Sequence, residues 1–94
     1  MPDAPYGLRE DGTPKGRGFL GLIPMSNGRD VMSEMSVGVE IDGVETLIPA
    51  IVPTLSAGEI ESLRRGEGVS EGIMRKAVDH ARERMRRGLS PFAD

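Results

Sequence analysis

A single histidine, His80, and no cysteine stand among 15 acidic and 12 basic side chains in this 94-residue chain. One imidazole excludes any site that needs two from the same chain. The lack of thiols excludes a thiolate zinc site, an iron–sulfur cluster, a disulfide and a cysteine nucleophile. His80 has Asp79 beside it and Glu83 three residues on. Adjacent residues do not share a helix face, whereas residues three apart do, so the spacing predicts an exposed imidazole paired with Glu83 rather than a metal cluster. Ser56, Ser70 and Ser90 have no imidazole close in sequence to activate them, and the first two sit where helix caps are expected. Glu40 and Glu45 approach each other on a predicted hairpin as a carboxylate pair of the kind glycoside hydrolysis uses, but nothing supplies the groove or aromatic platform a sugar needs. Gly16-Arg17-Gly18-Phe19-Leu20-Gly21 spells G-x-G-x-x-G. That fingerprint works only between a strand and a helix N-terminus that holds the pyrophosphate, and here a Pro/Gly coil precedes it and Pro24 follows. The glycines are expected instead to let the backbone approach another surface closely. No catalytic, cofactor-binding or metal-ligating residue is assigned.

The net charge of −3 is too small to steer a nucleic acid over long range. Its distribution is uneven: residues 31–70 hold two basic and seven acidic side chains, residues 71–94 six basic and four acidic. The run Arg82-Glu83-Arg84-Met85-Arg86-Arg87 has the charge to contact phosphates. The acid-rich middle and the scarcity of aromatics (Tyr6, Phe19 and Phe92 only) argue against a nucleic-acid partner. An acidic half and a basic half on one chain suit head-to-tail docking or a charged partner protein. No apolar run approaches the roughly 20 residues that span a bilayer, and the opening residues have neither the basic nor the apolar stretch of a secretory signal.

The elements that must position these residues can be read from spacing. Residues 1–30 carry four prolines and six glycines, a density that prevents a helix and interrupts any ladder, so they are expected as an extended arm with a turn at Asn27-Gly28. Residues 31–94 are expected as one small α+β domain. Val31, Met35, Val37, Val39 and Ile41 alternate with mostly polar neighbours, which predicts a half-buried strand. Asp42-Gly43 suits a type I′ turn and places Ile41 opposite Val44, Val39 opposite Thr46 and Val37 opposite Ile48, giving an antiparallel hairpin over about 31–48. Ser56 with Glu59 forms a capping box and Gly66 a stop, predicting a helix over 57–65. A second helix is expected over 71–87, capped by Ser70 and stopped by Gly88, with Ile73, Met74, Ala77, Val78, Ala81 and Met85 on one stripe.

Several stretches taken in order form a pattern: Tyr6-Gly7-Leu8-Arg9, Asp11-Gly12-Thr13-Pro14-Lys15-Gly16, Gly18-Phe19-Leu20-Gly21, Glu34-Met35-Ser36-Val37-Gly38-Val39, Ile48-Pro49, Val52-Pro53-Thr54-Leu55, Lys76-Ala77-Val78-Asp79-His80-Ala81 and Ser90-Pro91-Phe92-Ala93. Together they resemble a group of small proteins and domains encoded by tailed bacteriophages. The resemblance covers nearly the whole chain. It implies a phage gene product made among or beside virion genes, and it carries over no catalytic residues.

A small core with a Gly/Pro-rich segment is marginal alone, and a segment that orders against a neighbour recovers the missing burial. The expectation is therefore a non-enzymatic structural component of a phage particle (minor head, connector or tail), docked on other virion proteins in a homo- or hetero-oligomeric assembly. It would reside in the virion, and in the host cytoplasm before assembly. The expected partner-binding residues are Arg17, Phe19, Leu20, Arg82, Arg86, Arg87, Pro91 and Phe92. Two other readings differ in class. One is an early phage protein that modulates a host enzyme or defence factor through acidic residues 34–45, and the other is a small nucleic-acid binder that uses Arg82, Arg86 and Arg87.

Overall fold

The computed structural model describes residues 6–93. Residues 1–5 of the expected arm, and Asp94, lie outside the described residues. The fold is α+β, with two separate two-stranded antiparallel sheets followed by two helices. Strand β1 (Ile23–Pro24) pairs with β2 (Val31–Met32), and β3 (Ser36–Ile41) pairs with β4 (Val44–Pro49). Helix α1 spans Ala57–Arg64 and α2 spans Glu71–Arg86.

The main hairpin has the register that the sequence predicts. Ile41 faces Val44, Glu40 faces Glu45, Val39 faces Thr46 and Val37 faces Ile48. Asp42 (φ 51°) and Gly43 (φ 80°) both take the left-handed conformation that a two-residue I′ turn requires. The strand does not, however, run back to Val31. Glu34 and Met35 share one partner across the hairpin, because the Ala50 amide donates to both of their carbonyls (3.0 and 2.9 Å), and Met35 takes φ 47°. Two residues opposed to one is the arrangement of a β-bulge, and the extra residue inverts which face later side chains occupy. Upstream of it Met32 is buried and Val31 is 61% exposed, the reverse of the predicted alternation. Residues 31 and 32 belong to the second ladder with β1, closed by an Asn27 turn in which the side-chain Oδ1 accepts from the amides of Arg29 and Asp30.

Both helices begin and end as their caps dictate. The Ser56 hydroxyl accepts from the Glu59 amide, and the Glu59 carboxylate accepts from the Ser56 amide. The Ser70 hydroxyl accepts from the Ile73 amide. At the far end of α2, Gly88 N–H donates to Met85 and Leu89 N–H to Arg84, which is a Schellman stop. The same pair of bonds closes α1 through Gly66 and Glu67.

The core has two parts. Ile41 and Ile48 of the hairpin pack on Ala77 and Ala81 of α2. Met32, Leu63 and Ile73 enclose Ala50, Ile51, Val52 and Leu55. The run Ala50-Ile51-Val52 is fully buried although it lies in no strand or helix. The expected stripe on α2 divides along its length. Ile73, Ala77 and Ala81 are buried, but Met85 is exposed because the helix extends past the core.

Candidate functional site

The described part of the Gly/Pro-rich segment is tied down to the rest of the chain, not free of it. Arg9 and Glu34 form a buried ion pair in which Nε and Nη2 donate to the two carboxylate oxygens at 2.9 and 2.6 Å. The same carboxylate accepts from the Gly16 amide at 2.8 Å. The Arg9 guanidinium lies over the Phe92 ring, 3.8 Å from its centroid, so the Arg9–Glu34 pair joins the first segment, the start of the hairpin and the C-terminal turn. Gly18, at φ 83°, crosses the Ser33 backbone so closely that an added Cβ would collide with the Ser33 carbonyl oxygen. The close approach expected of the glycines is thus made, and the surface approached belongs to this chain. Farther on, Ser26 donates to the Arg64 carbonyl and Arg64 Nε to that of Pro24, fastening the β1–β2 ladder to α1.

These contacts sort the sequence-predicted residues. Phe92 is buried beneath Arg9, so its ring is used inside the fold and offers no outward contact, and Pro91 beside it is half-buried. Phe19 is half-buried edge-on to His80, with ring centroids 4.7 Å apart, and Arg84 stands 5.0 Å above it. His80 is therefore not an exposed imidazole paired with Glu83. Its Nδ1 is buried without a hydrogen-bond partner among the described residues, and Glu83 pairs with Arg86. Burial, and then the nearby Arg84 charge, hold the His80 pKa below the ordinary imidazole value. Arg17 and Leu20 are exposed. Arg82 reaches Asp42 at the hairpin tip at 3.2 Å, Arg86 pairs with Glu83 at 2.7 Å, and Arg87 is exposed beside them. The expected residues therefore fall into two regions: Arg17, Phe19 and Leu20 along the first segment, and the arginines at the end of α2. Glu34 belongs to the buried knot, which removes it from any acidic surface.

A surface that sequence spacing did not single out lies on the β1–β2 ladder. Its register places Ile23 and Met32 toward the core and Pro24 and Val31 on the opposite side. Leu22, just before the first residue of β1, is exposed, as are Pro24 and Val31. No local sequence signal marks this face, because the extra residue at Glu34-Met35 that reverses the sidedness of Val31 is fixed by the distant Ala50 amide.

Two hollows flank the main hairpin. On the face turned away from α2, Glu10, Asp11, Gly38, Glu45 and Leu47 line a concavity of ≈ 310 Å³. Asp11 accepts from the Thr13 hydroxyl and amide (2.6 and 3.0 Å), which holds its carboxyl below the usual range. On the other side, Ile41, Asp42, Arg82, Met85 and Arg86 line a groove of ≈ 440 Å³. Among the described residues, no three histidine or carboxylate side chains gather where they could hold a metal ion, and no helix is long and apolar enough to cross a membrane. No family model, curated protein or solved structure matches the chain.

Proposed function

We propose that this chain is a non-catalytic docking module of a bacteriophage particle, a minor head, connector or tail component that binds neighbouring virion proteins. The observation that carries the reading is the outward side of the β1–β2 ladder, where the register pair Pro24 and Val31 stands exposed, with Leu22 exposed just before β1. Exposed leucine or valine is ordinary when scattered, but a contiguous apolar face on a fixed scaffold is the signature of a contact surface. Leu20 extends the exposed apolar residues toward Phe19. The resemblance to phage-encoded proteins supplies the setting, and the ladder supplies the contact.

Fractionation of purified particles tests the assignment, with a Leu22→Glu/Val31→Glu double variant as the second arm. Both positions are exposed, so the variant is expected to fold. The native chain should be found in particles at fixed stoichiometry, and the variant should be folded in infected cells yet missing from particles. A native chain abundant in infected cells and absent from particles would overturn the assignment, favouring the early, host-directed reading.

A further inference from the structure

We propose that the groove between the hairpin tip and the end of α2 receives the acidic hairpin face of a second copy of this chain, so that copies associate head to tail. The floor of the groove is apolar: Ile41 from β3 and Met85 from α2, with Val44 on Ile41's side of the hairpin. Ile41 is buried at the base of the groove, but Met85 is 41% exposed and Val44, beside the groove, 64%, so apolar surface here is left uncovered within the chain. Its rim is cationic, with Arg82 and Arg86 lining it and Arg87 next in sequence. Asp42 and Glu83 neutralise part of that charge through their pairs with Arg82 and Arg86, and the local balance remains positive.

The complementary surface lies on the other side of the same hairpin. Residues 38, 40, 45 and 47 share the side opposite Val39 and Ile41. Glu40 and Glu45 sit directly across from each other there, and Glu10 and Asp11 stand at the same hollow as Glu45. None of Glu10, Glu40 and Glu45 forms an ion pair among the described residues. Directly opposed like charges destabilise a ladder, so this face gains twice from a cationic neighbour, by attraction and by relief of its own repulsion. Leu47 in the hollow gives the apolar floor of the groove something to bury. Each copy presents both surfaces on opposite sides of one hairpin. The contact is heterologous and propagates until a ring closes or a filament grows. Charge complementarity of this kind sets orientation and weakens with salt.

Sedimentation velocity on the full chain tests the proposal, at 20 mM and at 500 mM sodium chloride. Concentration-dependent species larger than one chain are expected at low salt, with association weaker by about tenfold or more at high salt. Arg82→Glu/Arg86→Glu and Glu40→Lys/Glu45→Lys should each abolish self-association, because each brings like charges face to face. All four positions are exposed, and circular dichroism reports whether each variant keeps its fold. Mixing the two variants should restore assembly, because every contact in the mixture again joins opposite charges. A strictly monomeric native chain at low salt would overturn the proposal. So would association that survives either reversal, or two folded variants that fail to assemble when mixed.

Discussion

Replacing Arg9 by methionine tests how much the buried knot holds. The methionine keeps the apolar stem of the side chain and removes the guanidinium. Glu34, whose side chain is only 2% exposed, then retains a single donor, the Gly16 amide, where it had three. Breaking a buried ion pair from one side costs about 3–5 kcal/mol because the remaining charge has lost its compensation. A chain of 94 residues has a total stability of about 5–14 kcal/mol at roughly 0.05–0.15 kcal/mol per residue. The single change therefore removes a large share of that stability, and the urea midpoint should fall steeply at unchanged slope. Adding Glu34→Leu removes the stranded charge and leaves only the Gly16 amide unsatisfied, at about 1–3 kcal/mol. The double variant should therefore be more stable than Arg9→Met alone. An Arg9→Met loss below about 1 kcal/mol, or a double variant weaker than the single, would refute the view that this carboxylate fastens the first segment to the domain.

Gly18→Ala should cost at least twice what Gly21→Ala costs in urea unfolding. Both residues have φ near 80°, but an alanine Cβ at 18 meets the Ser33 backbone whereas at 21 it meets nothing within 4 Å, leaving only the conformational penalty of about 1–2 kcal/mol. Ser56→Ala should lower stability by about 1 kcal/mol through loss of the capping box on an eight-residue helix, measured in the same way. The pH dependence of stability should carry the mark of His80. Its folded pKa lies below the ordinary value of 6.5, so the stabilisation is complete above pH 6.5 and is lost as pH falls through the folded value. The depressed carboxyls of Glu59 and Glu83, with ordinary values of 4.5, and of Asp11, with 3.8, act lower. His80→Leu should accordingly flatten the stability profile between pH 6.5 and 4.5, and an unchanged slope there would contradict the buried imidazole.

How much of this was legible in the sequence depended on how local the cause was. Asp42-Gly43 fixes a turn through its own backbone preferences, so the register of the hairpin follows, down to the opposed Glu40 and Glu45. The serine caps and glycine stops are equally local, and the helix bounds agree with expectation to one residue. What was not legible came from contacts between distant residues. The bulge at Glu34-Met35 depends on the Ala50 amide, sixteen and fifteen residues away, and without it the alternation reads on from Val31. His80 looks like a surface residue until Phe19, from the other end of the chain, covers it. Phe92 is buried because Arg9 lies over it. The central position of Ala50-Ile51-Val52 was obscured by the prolines on either side, which correctly end the strand but do not prevent burial of the residues between them.

The ties on the first segment also determine what kind of contact it can make. A segment that orders on binding spends part of its interaction energy on that ordering, about 2–5 kcal/mol or more. Here Arg9 and Gly16 are fixed to Glu34, Gly18 is seated on Ser33, and the β1–β2 ladder is bonded to α1 through Ser26 and Arg64. Residues 9–32 therefore present Leu20, Leu22 and Val31 from a frame already paid for in the folded chain. A partner gains the burial of that face without ordering the backbone beneath it, so its affinity should fall whenever the frame is loosened. Gly18→Ala touches none of the exposed residues, yet it should weaken docking along with the Leu22→Glu/Val31→Glu change. If incorporation into particles were indifferent to Gly18→Ala in a chain that is still folded, the segment would be engaging its partner as a flexible strand, and the knot at Glu34 would serve stability alone.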